Sequence, residues 1–276
     1  MKTIRIGYSP CPNDTFIFDA LVHKKIDTEG LHFEAVLLDV EALNNKAFNT
    51  ELEVTKLSYH AMALVLDDYQ VLNSGSALGS GVGPLLIAKR DLTEEEINKG
   101  KIAIPGQHTT ANFLLSLAYP KAQNKEEMIF SDIENAVLEG KVDAGLIIHE
   151  NRFTYEAKGL KKIRDLGDYW EETSGNLIPL GGIVIQRTLE EKLKKKVDRL
   201  IKASIQYAYD NREAPMEYVK ANAQEMDEQV MKKHIALYVN EYSLDLGEVG
   251  RNAVRHLFET AVQKGVIKEV RKEIFV

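Results

Sequence analysis

His149 ends an apolar run, Gly145-Leu146-Ile147-Ile148, and the polar and aromatic segment Glu150-Asn151-Arg152-Phe153-Thr154-Tyr155 follows at once. A run of that length and composition reads as a buried parallel strand. A residue at its carboxyl end then stands where open α/β sheets bind their ligands. Histidine is the side chain whose ordinary pKa lets it take up and release protons near neutrality. The spacing marks His149 as a candidate general base. A lone histidine in such a place is more often a core or capping group with one satisfied hydrogen bond. Its case as a base rests on the other loops of the chain.

Three further strand-to-helix loops carry polar groups suited to holding a small anion. In Ser9-Pro10-Cys11-Pro12-Asn13-Asp14 the two prolines fix the backbone, and Asn13 or Asp14 serves either to cap the next helix or to touch a ligand. Cys11 as a nucleophile needs a basic partner, and none lies beside it in sequence. Lys56-Leu57-Ser58-Tyr59-His60 places a cation and a hydroxyl where a strand meets a helix start, whose free N–H groups favour an anion. Ser58 is equally an ordinary N-cap, and His60 falls inside the helix. In Gly106-Gln107-His108-Thr109-Thr110-Ala111-Asn112, Pro105-Gly106 turns the chain and two threonines open an apolar helix. That is a second carboxylate or phosphate cradle, and two cradles facing each other across a cleft would clamp a small anion.

Other signals exclude more than they suggest. The glycine-rich stretch 74–84 lacks the Lys-Ser/Thr of a P-loop and precedes a strand, so it reads as a flexible approach to a crossover. No histidine lies four residues from His149, and no metal-ligand spacing emerges. Tyr59, Phe153, Tyr155 and Trp170 are candidates to stack on a planar ring, although core packing is the commoner fate of each.

The elements that must position these residues alternate. Strands are expected at Thr3–Tyr8, Leu31–Leu38, Val54–Leu57, Lys101–Ile104 and Ala144–Ile148. Helices are expected at Thr15–Val22, Val40–Asn49, Tyr59–Leu66, Thr110–Ala118 and Ser131–Leu138. Such alternation means βαβ units and mostly parallel sheets. Two β-rich runs, Gly83–Lys89 and Leu180–Gln186, break the rhythm, and from Thr188 to about Gly265 the pattern is helical. We expect a two-lobed α/β fold of the periplasmic-binding-protein type II kind with a ligand cleft between lobes. Its first domain would comprise residues 1–89 and 189–276, with 90–188 inserted.

The 276 residues suffice for one large or two ordinary domains, and 44% hydrophobic with 28% charged residues suits a globular protein with a sizeable core. A net charge of -7 argues against nucleic-acid and anionic-membrane partners. The single cysteine excludes an intrachain disulfide framework. The first residues run straight into an alternating strand pattern without a secretory core, and no run approaches a membrane span, so a cytoplasmic location is expected. Oligomeric state is not legible.

Taken together, the loops resemble the 1,4-dihydroxy-6-naphthoate synthase family of the futalosine route to menaquinone. The matching segments are Ser-Pro-Cys-Pro-Asn-Asp-Thr-Phe (9–16), Thr-Lys-Leu-Ser-Tyr (55–59), Ser-Ala-Leu-Gly-x-Gly-Val-Gly-Pro (76–84), Pro-Gly-x-His-Thr-Thr-Ala (105–111) and Gly-Leu-Ile-Ile-His-Glu (145–150). Arg152–Tyr155 and Pro179-Leu180-Gly181 continue the match, so it spans nearly the whole chain. The resemblance implies conversion of cyclic dehypoxanthine futalosine to 1,4-dihydroxy-6-naphthoate with release of dihydroxyacetone, without metal or organic cofactor. It places the catalytic base on His149 and ligand contacts on Lys56-Leu57-Ser58 and on Thr110-Ala111, beside Thr109, Asn13 and Asp14 from the loop reading. Two rivals are a sister chorismate dehydratase, opposed by the motifs around His149, and a non-catalytic carboxylate-binding protein, which would need a signal or anchor.

Overall fold

The computed structural model describes residues 2–224 and 227–276. In chain order the first elements are β1 (Lys2–Tyr8), α1 (Pro12–Val22), β2 (Leu31–Leu37), α2 (Val40–Ala47), β3 (Val54–Ser58), α3 (Tyr59–Leu64), β4 (Tyr69–Val71) and β5 (Ala77–Gly79). There follow β6 (Leu85–Ala88), α4 (Glu94–Lys99), β7 (Ile102–Ile104), α5 (Thr110–Ala118), β8 (Lys125–Glu127), α6 (Ile133–Leu138), β9 (Ala144–Ile147), β10 (Lys161–Asp165) and α7 (Leu166–Ser174). The chain ends with β11 (Ile178–Gln186), α8 (Glu191–Asp210), α9 (Met216–Asn222), α10 (Glu228–Tyr238), α11 (Glu241–Leu244) and α12 (Gly247–Gln263).

Two compact units result: residues 1–78 with 179–276, and residues 79–178. The expected boundaries at 90 and 188 fall too late. β6, assigned from sequence to the first domain, pairs with β9 and β10 of the second unit. β11, assigned to the second, pairs with β3 and β4 of the first. Each linking strand belongs to the sheet it enters.

The first unit holds a sheet in the order β2-β1-β3-β11-β4, with β5 also on β11. β1 runs parallel to β2 and β3, while β11 is antiparallel to β3 and β4. The second sheet, β10-β6-β9-β7-β8, has parallel β7–β8 and β7–β9 pairs but antiparallel β6–β9 and β6–β10 pairs. Both sheets are therefore mixed, a correction to the mostly parallel expectation. Parallel neighbours arise from βαβ crossovers, and β6 and β11 lie outside such units because they carry the chain from one unit to the other.

Helix α8 anchors the first unit. Its buried Val197, Leu200, Ile201, Ser204, Ile205 and Ala208 recur at helical spacing. The apolar members join Ile4, Ile6, Phe16, Ile17 and Leu21 in one core. Ser204 Oγ donates to the Ile17 carbonyl at 2.6 Å and accepts from Leu21 N, which ties α8 to α1. In the second unit, Leu85, Ile87, Ala103, Ile133, Val137 and Ile147 form the core. Gly145 lets α6 lie directly on β9: a Cβ there would meet the Ile133 and Val137 methyls at 2.5 and 2.8 Å. Among the described residues, no helix is long and apolar enough to cross a membrane.

Candidate functional site

Parallel pairing gathers the singled-out loops at strand carboxyl ends within each unit. Gly7 of β1 lies opposite Thr55 of β3. The loop after Tyr8 and the β3–α3 junction therefore share one edge. Ala103 of β7 lies opposite Gly145 of β9, so the loop before α5 and the segment from Ile148 likewise share an edge of the second sheet.

In the first unit this edge carries a buried polar network. Lys56 is 6% exposed and Asp14 2%. The Lys56 ammonium donates to Asp14 Oδ1 at 3.0 Å and to the Gly75 carbonyl at 2.9 Å. Asp14 also accepts from Asn13 Nδ2, Ser9 N and Ser9 Oγ. A carboxylate offers about four lone-pair sites, and these donors occupy them. Helix α1 begins at Pro12, earlier than the expected Thr15, because proline at the first helical position already has helical φ. Cys11 is the N-cap, so neither Asn13 nor Asp14 caps α1; both lie in its first turn, where Asp14 complements the positive end of the helix.

Two network members gave no signal in the sequence. His234, fully buried on α10, places Nε2 2.9 Å from Asn13 Oδ1. Because the Asn13 amide nitrogen donates to Asp14, its oxygen must accept, so His234 Nε2 carries the proton. Asn44 on α2 accepts from Ser58 N at 3.0 Å and donates to Ser58 Oγ at 3.3 Å and to Glu41. The Ser58 hydroxyl, an N-cap without a capping bond to α3, thereby keeps its own proton to donate elsewhere. A periodicity search finds neither residue, since each sits in an ordinary amphipathic helix. Leu57 is fully buried, and Tyr59, also buried, shares a hydrogen bond between its hydroxyl and that of Ser76 at 2.8 Å.

In the second unit, Thr109 is the N-cap of α5. Its hydroxyl accepts from Asn112 N at 3.2 Å and donates to the Gly106 carbonyl at 2.8 Å. Thr110 and Ala111 are the first two helical residues and are buried. First-turn N–H groups of an α-helix lie beyond its own carbonyls, which makes the start of this nine-residue helix suited to an anion.

His149 follows β9 and opens a 3-10 turn over His149–Phe153. Its backbone is left-handed, with φ at 56°. Non-glycine residues adopt this conformation at a cost and keep it where surrounding contacts over-determine it, often at functional sites. The half-buried imidazole packs against Phe130, ring centroids 4.9 Å apart and planes at 51°. Asn151 Nδ2 donates to the Phe130 carbonyl at 3.3 Å. Arg152 donates through Nη1 to the Gly83 carbonyl and through Nη2 to Asp165 Oδ2 at 2.8 Å.

Of the candidate stacking aromatics, Tyr155 and Trp170 are core residues. Burial and the neighbouring Glu156 carboxylate push the Tyr155 hydroxyl up to about 12, and Trp170 Nε1 donates to the Leu177 carbonyl. The glycine-rich approach is pinned, contrary to the flexible reading. Ser80 Oγ and Gly81 N donate to the Glu171 carboxylate, and a Cβ on Gly83 would come within 2.3 Å of Gly167.

Comparisons with known proteins converge on one family. The profile of a family described as Menaquinone biosynthesis matches residues 4–263. A 1,4-dihydroxy-6-naphtoate synthase of Thermus thermophilus is 45% identical over 276 residues, the full length of both chains. One of Streptomyces coelicolor is 41% identical over 270 residues, 96% of this chain and 95% of its own. Among solved structures, a protein of Archaeoglobus fulgidus superposes with a TM-score of 0.89 at 40% identity, covering 96% of this chain and 98% of its own. A Candida albicans protein with the generic periplasmic binding protein fold reaches 0.69 at 14% identity over 98% and 92%, a likeness of fold alone. The architecture is periplasmic-binding-protein-like. By profile and by full-length identity, the chain belongs to the menaquinone-biosynthesis family.

Proposed function

We propose that this chain is a cytoplasmic carbon–carbon lyase that converts cyclic dehypoxanthine futalosine to 1,4-dihydroxy-6-naphthoate and dihydroxyacetone. The observation that carries the reading is His149, whose imidazole is held by a left-handed backbone at a strand carboxyl end. The names of the Thermus and Streptomyces relatives supply the product.

In this mechanism the first-turn N–H groups of Thr110 and Ala111 hold the substrate carboxylate, which orients the ring system. Asn13 and Asp14 act by shaping the neighbouring loop, because their side chains are spent on Lys56, Ser9 and His234. Neutral His149 accepts a proton from a sugar hydroxyl. The electrons of that O–H bond become a carbonyl as the adjacent C–C bond breaks in the retro-aldol sense. The C–C electron pair passes into the ring system, whose developing oxyanion takes the proton back from His149, and the three-carbon fragment leaves as dihydroxyacetone. Aromatisation of the second ring supplies driving force, so protein groups alone suffice.

The test is incubation of purified protein with the cyclic futalosine derivative, before and after exhaustive dialysis against a chelator. Naphthoate, followed by absorbance and mass, is expected at equal rates in both samples. Binding without turnover would replace the lyase with a carboxylate-binding protein. Activity restored only by one divalent ion would overturn the cofactor-free mechanism.

A further inference from the structure

We infer that Arg152 is a positioning residue whose bridge between the Gly83 carbonyl and the Asp165 carboxylate holds the His149 turn, and with it the imidazole, in place. The inference rests on the reading of His149 as proton acceptor.

Three observations within the second unit carry it. The His149 backbone is left-handed, and such a conformation in a non-glycine residue relaxes unless the structure on its flanks is fixed. On the preceding flank, β9 is hydrogen-bonded on both sides, to β6 and β7. On the following flank, the turn is tied down by Asn151 to the Phe130 carbonyl and by the two guanidinium bonds of Arg152.

The Arg152 anchors are themselves rigid. Asp165 divides its oxygens: Oδ1 caps α7 by accepting from Gly167 N at 2.8 Å and Asp168 N at 3.3 Å, and Oδ2 takes Arg152. Gly83 and Gly167 interlock backbone to backbone, and Leu166 N donates to the Pro84 carbonyl at 3.0 Å. One planar fork therefore joins the segment leading into β6, the start of α7 and the His149 turn. A lysine, with one point charge, cannot reproduce that geometry.

Two substitutions test the role independently. Arg152→Ala removes the bridge. Asp165→Asn leaves an oxygen for the α7 cap but turns an NH2 group toward Arg152, so it breaks the bridge without cutting the helix cap. We expect kcat to fall by ~10- to ~10²-fold in both variants, the range of an ångström-scale misplacement. KM, calorimetric affinity for 1,4-dihydroxy-6-naphthoate and circular dichroism should stay near wild type. The His149 ring cross-peaks in a 1H–15N spectrum should move. Millimolar guanidinium should restore part of the rate to Arg152→Ala but none to His149→Asn. Wild-type kcat in Asp165→Asn or in a folded Arg152→Ala overturns the inference. So does a loss of product affinity matching the loss of kcat, which would make Arg152 a ligand-binding group. An inactive His149→Asn beside fully active bridge variants removes the bridge alone, whereas a fully active His149→Asn removes the base and the bridge together.

Discussion

His149→Asn separates a catalytic histidine from a packing one, because the structure predicts opposite effects on stability and turnover. At a φ of 56° a non-glycine residue carries about 1–2 kcal/mol of backbone strain, and asparagine tolerates this region better than most residues do. Against that gain, the substitution gives up the ring contact with Phe130 at 4.9 Å, about 0.5–1.5 kcal/mol for an aromatic pair. The two effects nearly cancel, so stability should change by less than about 1 kcal/mol. For a chain of this size that is a melting-temperature shift of about 2–3 °C at most. Asparagine has no basic nitrogen, so turnover should fall by at least ~10²-fold, about 2.7 kcal/mol in the barrier. Differential scanning calorimetry and turnover on one preparation give both quantities. A melting temperature lowered by well over about 6 °C, more than twice the expected shift, with normal turnover per folded molecule would make His149 a packing residue and refute the reasoning.

Three further outcomes follow from the same geometry. Lys56→Met leaves the buried Asp14 carboxylate without its cation. It should destabilise the protein by about 3–5 kcal/mol in urea unfolding, and less than about 1 kcal/mol would show the pair to be solvated. Thr110→Pro removes the N–H of the first helical residue of α5, a position that suits proline, and should weaken calorimetric binding of the naphthoate by about 1.5–3 kcal/mol, whereas unchanged affinity would exclude the start of α5 as the carboxylate site. Burial raises the Tyr8 and Tyr59 hydroxyls well above the ordinary tyrosine value, with Tyr218 reinforcing the effect at Tyr8. Their contribution to stability is fully present below pH ~10, where unfolded tyrosine ionises, and is lost as pH rises toward the folded-state values. Ultraviolet difference absorbance should show these tyrosines ionising only together with unfolding; ionisation near pH ~10 in a folded protein would contradict their burial.

Local pattern determined much of the chain. Element boundaries are legible where an apolar run of strand or helix length meets a turn and a cap. Pro105-Gly106 and the paired threonines set α5 at Thr110–Ala118, and β9 stops one residue before its expected end at Ile148. The position of His149 just beyond a strand follows from the same short-range signals, because periodicity and turn chemistry act within a few residues. Strand direction does not. β6 and β11 read as generic apolar runs, and only their partners make the sheets mixed and move the unit boundaries to 78/79 and 178/179. Nor does pairing across the chain: Lys56 reads as an anion receptor until Asp14 meets it from 42 residues away, and His234 joins Asn13 from 221 residues away. The left-handed turn at His149 belongs to the same class. Its sequence gives no reason for the strain, which is sustained by Arg152, Asp165, Gly83 and Phe130, residues that come together only when the second unit is packed. Sequence spacing governs short-range backbone preference, whereas buried charges and strained dihedrals are settled by whichever distant groups desolvate and hold them.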